Sequence, residues 1–310
     1  MPDVFTELRP LLFSIAYRML GSVSDAEDVV QDAYLRYHRA VSEGTRIESP
    51  KAFLSAVTTR LAIDLLRSAR VRRETYVGEW LPEPLLTDPA APDPAQQTAE
   101  SDSLSMAFLL VLERLSPLER AVFLLHDVFG YEFTEVASIV ERSPDNCRQV
   151  AVRARRHVSE HRPRFEASRA QRDQLADRFV AALSDGDVDG LVELLAADVV
   201  VTGDSGGVSP SWPRPIAGRE KVLRLLLGLA EQMRQVGGIS ISRVEVNGQP
   251  GALIRDGQGQ LVSVFSFDIA DGALQAVRSV INRDKLRHLG PLADVPTLLR
   301  GSSGDAQHRP

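Results

Sequence analysis

Apolar residues recur every three or four positions along the first 75 residues, as they do in helices that bury one face. The pattern breaks at Gly21 and again around residues 44–50. One helix is expected to begin at Ser24, because Ser24-Asp25-Ala26-Glu27 has the sequence of a capping box. The next is expected at Ser49-Pro50, a capping residue followed by proline at the first helical position. The sequence therefore predicts an all-helical first domain over residues 1–75.

An acidic, proline-rich linker is expected over residues 76–103. Its centre, Leu81 to Pro94, contains five prolines, which stiffen an extended chain. Between Arg73 and Arg114 there is no lysine or arginine, whereas eight acidic residues fall in this stretch. The linker is therefore negatively charged as well as stiff.

Helical periodicity returns at Leu104 and continues to about Pro163. Ser116-Pro117-Leu118-Glu119 has the sequence of a second capping box, and Gly130 is a plain stop signal for a helix. We expect a second, small helical domain over residues 104–165.

A helix-turn-helix is predicted inside this second domain. A helix over Phe133 to Val140, a short turn at Glu141-Arg142 and a helix that opens at Ser143-Pro144 have the required spacing. Small inward residues allow close packing of the second helix: Cys147, Ala151, Ala154 and Val158. Arginine and amide groups on its outer face can read guanine and adenine edges. The candidate DNA-reading residues are Asn146, Arg148, Gln149, Val152, Arg153 and Arg156, beside Asp145. A helical hairpin with a solvated arginine face is the alternative.

The pattern changes after about Gln171. Helices are expected over 171–183, 188–197 and 219–234, with a strand at Asp198 to Thr202. The rest alternates between apolar and polar residues, and its turn signals are Asn247-Gly248, Asp256-Gly257 and Asp271-Gly272. These turns separate four further expected strands, over 239–246, 251–255, 260–267 and 273–282. The prediction is an α+β domain over residues 171–290 with a curved antiparallel sheet, followed by a tail over 291–310.

Composition excludes several classes of protein. A chain of 310 residues with 44% hydrophobic and 25% charged residues is long enough for more than one globular domain. The sequence has no membrane-spanning apolar stretch and no export signal at its start, and its single cysteine, Cys147, excludes disulfides within the chain, zinc ribbons and iron–sulfur sites. We expect a cytoplasmic protein with no membrane partner. The net charge of −6 would argue against a nucleic-acid partner only if the charge were spread evenly along the chain.

The first domain carries charge of both signs on separate helices. Asp25, Asp28 and Asp32 share one helix face beside Gln31, although a solvated acidic face is the plain alternative. On the following helix, Leu54, Val57, Leu61 and Leu65 form the expected buried stripe. A neighbouring face carries Arg60, Asp64 and Arg67, and Arg70, Arg72 and Arg73 follow at its end. A basic last turn suits the helix dipole, which accounts for the last three arginines only.

These features together resemble the extracytoplasmic-function branch of the sigma-70 family, bacterial RNA polymerase specificity factors that keep only regions two and four. The matching segments are Ala26 to Tyr34, Leu61 to Arg67, and Leu115 to Arg120 with the helix-turn-helix. Arg60 departs from the family, in which many members carry asparagine. The resemblance implies two all-α sigma domains, which are a region 2 helical bundle and a region 4 helix-turn-helix domain.

The resemblance also implies partners and roles. The partners are core RNA polymerase, through its beta-prime clamp and beta flap, and promoter DNA. The acidic helix face, Asp25, Asp28, Gln31 and Asp32, would bind the polymerase clamp. Arg60, Asp64 and Arg67 would engage the melted minus-ten element, and the helix-turn-helix would read the minus-thirty-five element. No cofactor, metal ion or catalytic residue is implied.

The linker and the last domain narrow the resemblance. Trp80-Leu81-Pro82-Glu83-Pro84 resembles the linker signature of a subgroup with a fused SnoaL-like domain, a relative of nuclear-transport-factor-two folds. Asn282-Arg283-Asp284-Lys285-Leu286 resembles that subgroup's Asn-Pro-Asp-Lys-Leu motif, with Arg283 in place of proline, and Gly203 to Gly207 is a loose copy of its glycine loop. The resemblance implies a regulatory domain in cis and no obligatory separate anti-sigma factor. The expected regulatory residues are Trp80, Pro82, Glu83, Pro84, Asp204, Asn282, Asp284 and Lys285.

SnoaL-like folds include isomerases and cyclases, so a ligand-sensing or enzymatic C-terminal domain is the alternative. Such chemistry needs a base and a donor to a developing oxyanion. All five tyrosines lie at or before Tyr131, and the histidines beyond His161 are His288 and His308. Asp198, Asp204 and Asp268 remain as possible bases, but the usual donors are missing. We therefore expect no enzyme, and a cone interior filled with side chains would exclude both alternatives.

Overall fold

The computed structural model describes residues 4–74, 76–87, 103–161, 168–207 and 214–295. The chain divides into two compact units. The first unit combines Met1–Thr75 with Ala107–Arg162, and the second combines Tyr76–Met106 with Pro163–Pro310. The expected linker thus groups with the C-terminal part of the chain, and the two helical regions group with each other. Among the described residues, no helix is long and apolar enough to cross a membrane.

The first unit begins with three helices, as predicted: α1 (Val4–Leu20), α2 (Val23–Ser42) and α3 (Pro50–Glu74). The start of α2 differs from the prediction. Its N-cap is Ser22, whose hydroxyl accepts a hydrogen bond from the amide of Asp25 at 3.1 Å. Ser24 lies within the first turn, so the expected capping box at Ser24 is wrong by two residues. Serine occurs at both positions, and the sequence alone could not separate them.

The buried face of α3 also differs from the prediction. Leu54 is fully buried, but Val57, Leu61 and Leu65 are only half-buried. Small polar and apolar residues fill the buried face instead: Ser55, Thr58, Thr59, Ala62, Ile63 and Leu66. The helix packs against α1 on one side and the helix-turn-helix on another, so its contact surface is broader than one leucine stripe.

The helices of the second helical region are α4 (Met106–Leu112), α5 (Pro117–Phe123), α6 (Phe133–Val140) and α7 (Pro144–His161). The capping box at Ser116 is confirmed. The Ser116 hydroxyl accepts a hydrogen bond from the Glu119 amide, and the Glu119 carboxylate accepts one from the Ser116 amide. A π-helical turn, Leu124–Val128, extends α5 before the chain turns at Gly130. The helix-turn-helix is α6 and α7, and Glu141 between them adopts the left-handed conformation.

The second unit contains helices α8 (Arg169–Asp185), α9 (Val188–Leu194), α10 (Arg219–Val236) and α11 (Arg283–Leu286), the last followed by a 3₁₀ turn. Its strands are β1 (Leu86–Thr87), β2 (Leu195–Asp204), β3 (Ile216–Ala217), β4 (Ser240–Val246), β5 (Gln249–Arg255), β6 (Leu261–Ala270) and β7 (Ala273–Val280). The expected helix over 188–197 is too long, because α9 ends at Leu194 and the next residue already pairs with Leu274.

The strands form one sheet in the order β1-β4-β5-β6-β7-β2-β3. The prediction of an antiparallel sheet needs correction, since β2 pairs with β7 in parallel and the sheet is mixed. The edge strand β1 comes from the linker and pairs with Val246 and Glu245 of β4. One sheet face packs on α8, α9 and α10, and Phe179 meets Phe267 there with ring centroids 5.2 Å apart. Both rings are fully buried in the core between this sheet face and the helices.

Candidate functional sites

The acidic side of α2 is open to solvent. Asp28, Gln31 and Asp32 are exposed and Asp25 is half-buried, whereas Val29, Val30 and Ala33 on the opposite side are buried. Three carboxylates and an amide on one accessible helix face suit a basic partner surface.

On α3 the three predicted residues have different surroundings. Asp64 and Arg67 are exposed and pair with each other at 3.3 Å. Arg60 is half-buried and binds the end of α6: its Nε donates to the Ile139 carbonyl at 2.8 Å, and Nη2 donates to the Ser138 carbonyl at 2.9 Å. The side chains of Arg70, Arg72 and Arg73 lie outside what the structure describes.

The outer face of α7 is exposed along its length. Val152 keeps 63% of its surface accessible, an unusual exposure for an apolar side chain. All six predicted DNA-reading residues are exposed: Asn146, Arg148, Gln149, Val152, Arg153 and Arg156. The arginines have short-range partners, including Asp145 for Arg148 and Glu160 for Arg156. Exposed pairs of this kind contribute little stability and exchange readily for other anions.

Cys147 lies on the inner side of the same helix and is fully buried. Burial raises the pKa of its thiol, so the thiolate form is disfavoured. The residue fills space in the core of the helix-turn-helix.

Asp204, at the end of β2, is the centre of the contact between the linker and the C-terminal domain. Its side chain is fully buried, and four donors converge on its two oxygens. Two donors come from the linker: the Tyr76 hydroxyl and the Leu81 amide, the latter at 2.8 Å. The others are Lys285 Nζ at 2.7 Å and the Gly206 amide at 3.1 Å. Burial and the bond to Asp204 raise the pKa of Tyr76 well above its usual range.

The Lys285 side chain contacts the backbone of the linker and two of the linker's aromatic rings. Its ammonium donates to the Leu81 carbonyl and lies 4.2 Å from the centre of the Trp80 ring and 5.1 Å from that of Tyr76. A buried ammonium over two rings is stabilised by cation–π attraction as well as by its counter-ion. Pro82, Glu83 and Pro84 are buried too, and His288 Nε2 lies 2.8 Å from the Pro84 carbonyl.

The loop after β2 and the segment after β7 bring these groups together. Asn282 donates from its side-chain nitrogen to the Tyr76 hydroxyl at 2.8 Å. Gly206 has a φ of 63°, and a Cβ there would lie 2.6 Å from the Asn282 side chain, so glycine is needed for this approach. Asp284 is exposed and pairs with Arg287. Arg283, which replaces proline in the motif, donates to the Ala293 carbonyl and so fastens the following segment.

Asn247 is a linker-binding residue that the sequence did not reveal. It sits in the β4–β5 turn with a φ of 55° and is fully buried. Its Oδ1 accepts from the Leu85 amide at 3.0 Å, and its Nδ2 donates to the Leu104 carbonyl at 3.2 Å. One amide side chain therefore binds both ends of the segment over residues 86–103. The sequence Asn-Gly signals a hairpin turn and carries no sign of this second role.

The three aspartates considered as possible bases have other roles or surroundings. Asp204 binds the linker, Asp268 pairs with Arg278 across the sheet, and Asp198 is exposed on β2. A cleft of about 280 Å³ lies between the ends of α8 and α10. The polar side chains that line it are Ser184 and Arg234. Ser184 donates to the Val180 carbonyl, and Arg234 pairs with Glu231. No carboxylate, tyrosine or histidine belongs to this lining, so the cleft offers no acid–base pair.

Comparison with known proteins gives matches across the chain. The family model for sigma-70 region 2 matches residues 4–72, and that for sigma-70 region 4 matches residues 105–158. The chain is 39% identical over 289 residues to the ECF RNA polymerase sigma factor SigJ of Mycobacterium tuberculosis, covering 91% of each protein. It is 32% identical over 272 residues to the probable ECF sigma factor SigI of that organism, covering 79% of this chain and 92% of the relative.

The fold is similar as well. The crystal structure of Mycobacterium tuberculosis SigJ superimposes with a TM-score of 0.74 at 36% sequence identity. The match covers 93% of this chain and 99% of the other, so it includes the C-terminal domain.

Proposed function

This chain belongs to the extracytoplasmic-function RNA polymerase sigma factors, and we propose that its C-terminal NTF2-like domain regulates its promoter-specific initiation of transcription in cis, by holding the interdomain linker. The observation that supports this most strongly is the buried carboxylate of Asp204, which binds Tyr76 and the backbone of Leu81. Like its relatives, the chain acts through a polymerase and needs no chemistry of its own.

The roles of the helical regions follow from their exposed surfaces. Asp25, Asp28, Gln31 and Asp32 on α2 bind the beta-prime clamp of the polymerase through charge complementarity. The exposed face of α7 reads the minus-thirty-five element in the major groove, and region 4 as a whole docks on the beta flap. The α3 face with Arg60, Asp64 and Arg67 engages the melted minus-ten element.

Linker docking restricts how far the two DNA-reading regions can separate. Promoter elements centred about 25 base pairs apart lie about 85 Å apart along the helix axis. A released linker from Thr75 to Ala107 reaches about 110 Å when fully extended. When Asn247 binds both Leu85 and Leu104, only the flanking residues contribute, and the reach falls to about 45 Å. The bodies of the domains supply part of the span, but docking removes more than half of what the linker supplies.

In this proposal the inhibitor and the activity that it controls belong to the same chain. The acidic linker suits the positively charged path of nascent RNA in the polymerase, and the C-terminal domain binds the same segment in the free protein. Docking and polymerase engagement therefore compete for one linker. The chain works with the polymerase in the cytoplasm and requires no separate anti-sigma factor.

Transcription by purified core polymerase from a promoter upstream of the chain's own gene tests this proposal. Trp80→Ala removes one of the two rings that Lys285 contacts, weakens docking and should raise promoter-dependent transcription. Trp80→Phe is the matched control, because it keeps an aromatic face for the ammonium, and should transcribe close to the unaltered chain. If Trp80→Ala also transcribes like the intact chain, linker docking does not regulate initiation.

A further inference from the structure

Arg60 joins the two DNA-reading regions within the first unit. Its guanidinium donates to the carbonyls of Ser138 and Ile139 and pairs with Glu141 at 3.0 Å. We infer that this is an autoinhibitory contact, in which the end of α6 and Glu141 occupy the arginine that would otherwise bind the minus-ten element. The inference rests on the proposed assignment of the α3 face to minus-ten DNA.

The chemistry of the contact explains why α6 attracts a guanidinium. The last carbonyls of a helix have no partner within the helix, and the C-terminal end carries a partial negative charge. Glu141 adds a full charge directly after the last residue of α6. The end of α6 therefore offers the arginine two oxygens and a carboxylate, much as a nucleic acid offers base-edge and phosphate oxygens. Nε and both terminal nitrogens each have a partner in this contact.

Further polar contacts hold the two regions in this arrangement. The hydroxyls of Ser55 and Tyr131 are hydrogen-bonded at 2.7 Å in a buried position. Arg120 from α5 donates to the Met19 carbonyl at the end of α1, at 2.6 Å, and pairs with Glu113 at 2.8 Å. The Ser55–Tyr131 bond and the Arg120–Met19 bond join region 2 to region 4, and the pair with Glu113 holds the Arg120 side chain within region 4. Water and other ions can replace the polar partners when the surfaces separate.

The contact affects the two DNA-reading surfaces differently. The outer face of α7 stays exposed while Arg60 is bound, since Arg148, Val152 and Arg153 all face solvent. The minus-thirty-five reader is thus accessible in the closed arrangement, whereas Arg60 of the minus-ten reader is engaged, and Asp64 and Arg67 stay exposed. The Arg60 contact to minus-ten DNA therefore requires α6 to leave α3, and the apparent affinity for this element is lowered while the molecule is closed.

The test measures binding of two DNA probes to the full-length chain. One probe is a single-stranded oligonucleotide with the minus-ten element of the promoter upstream of its own gene, and the other is a duplex with the minus-thirty-five element. Glu141→Gln removes the charge that pairs with Arg60 and should tighten minus-ten binding about threefold. Adding Tyr131→Phe removes the buried hydroxyl pair and should extend the gain to about tenfold. Duplex affinity should stay within about twofold, because neither residue belongs to the outer face of α7.

A matched control separates this effect from general electrostatics. Glu27→Gln also removes one exposed carboxylate that pairs with an arginine, Arg9, in the same unit. It should leave the ratio of the two affinities unchanged. Equal effects of Glu141→Gln and Glu27→Gln, or equal gains on both probes, would overturn the inference.

Two further measurements distinguish this contact from the proposed promoter contacts. Arg60→Ala and Arg67→Ala should each weaken minus-ten binding, and if both leave it unchanged, the assignment of the α3 face fails instead. Spin labels at Ser42 on α2 and Ser159 on α7 report opening directly. The native Cys147 is fully buried and does not compete for the label. Glu141→Gln with Tyr131→Phe should shift the distance distribution to longer values, and an unchanged distribution would contradict the closed arrangement.

Discussion

Replacing Asp204 with asparagine should release the linker while keeping the shape of the side chain. Four donors converge on the two carboxylate oxygens, and an amide has one oxygen and a nitrogen that is itself a donor. At least two donors therefore lose their acceptor. Lys285 also loses its counter-ion while its side chain remains largely buried.

The expected size of this effect follows from burial. Breaking a buried ion pair by changing one partner costs about 3–5 kcal/mol, because an uncompensated charge is left behind. The lower figure applies here, since Lys285 keeps the Leu81 carbonyl and the two aromatic rings. A loss of about 3 kcal/mol lowers the ratio of docked to released linker by about 100-fold, at about 1.4 kcal/mol for each factor of ten.

Hydrogen exchange of the Leu81 and Leu85 amides measures this ratio in the full chain. Both amides donate to side chains of the C-terminal domain, so their protection reports docking. Asp204→Asn should lower the protection of Leu81 by about 100-fold. Asp268→Asn is the control, because it breaks an ion pair in the same sheet with Arg278, and it should leave Leu81 protected. Unchanged protection of Leu81 in a folded Asp204→Asn chain would refute the reasoning.

Three further outcomes are expected. Reversing Asp28 and Asp32 to lysine should weaken binding to core polymerase at least tenfold without changing duplex affinity, which a pull-down and a DNA-binding titration can compare. Arg148→Ala and Arg153→Ala should each cost about 1–3 kcal/mol of DNA-binding free energy where the side chain reads a base edge. Binding to a set of single-base DNA variants should then show a relaxed preference at one position. Unchanged affinity and preference would exclude the docking of α7 in the major groove. Because the pKa of Tyr76 is raised in the docked state, docking is fully stable below its ordinary pKa of about 10 and weakens as the pH rises above it. The difference between ultraviolet titrations of the chain and of Tyr76→Phe should show this phenol ionising well above pH 10, and an ordinary value would contradict its bond to Asp204.

Much of the helical part could be predicted because its signals are local. The helix-turn-helix depends on the spacing of small apolar residues around Cys147, and the capping box at Ser116 requires only four neighbouring residues. The hairpin turns were equally local: Asn247 and Asp271 both adopt positive φ before a glycine, as Asn-Gly and Asp-Gly sequences favour.

The features that the sequence did not predict depend on partners far along the chain. The two-residue strand β1 exists because the edge of β4 lies beside Leu86 and Thr87, and no local pattern marks so short a strand. The parallel pairing of β2 with β7 likewise depends on topology. The buried face of α3 contains Ser55, whose partner Tyr131 lies 76 residues away.

The candidate sites divide in the same way. Charge pattern and resemblance indicated α2, α7 and the Trp80 segment, because the functional residues of each lie close together in the sequence. The engagement of Arg60 by α6 and the binding of two linker ends by Asn247 involve residues from separate parts of the chain. Such contacts appear only after the chain has folded.

A reversible covalent lock between linker and C-terminal domain tests the central claim most directly. A Cβ at Gly207 would lie 3.2 Å from the Cβ of Val77, so a small shift of the loop, which has a φ of 78° at Gly207, brings the pair to the separation of about 3.8 Å in disulfides. Val77→Cys with Gly207→Cys therefore gives a chain whose linker can be closed by oxidation and released by a thiol reductant. With core polymerase and the promoter upstream of its own gene, the oxidised chain should direct little specific transcription, and the reductant should restore it in the same sample. Equal transcription by the oxidised and reduced chain would contradict regulation by linker docking.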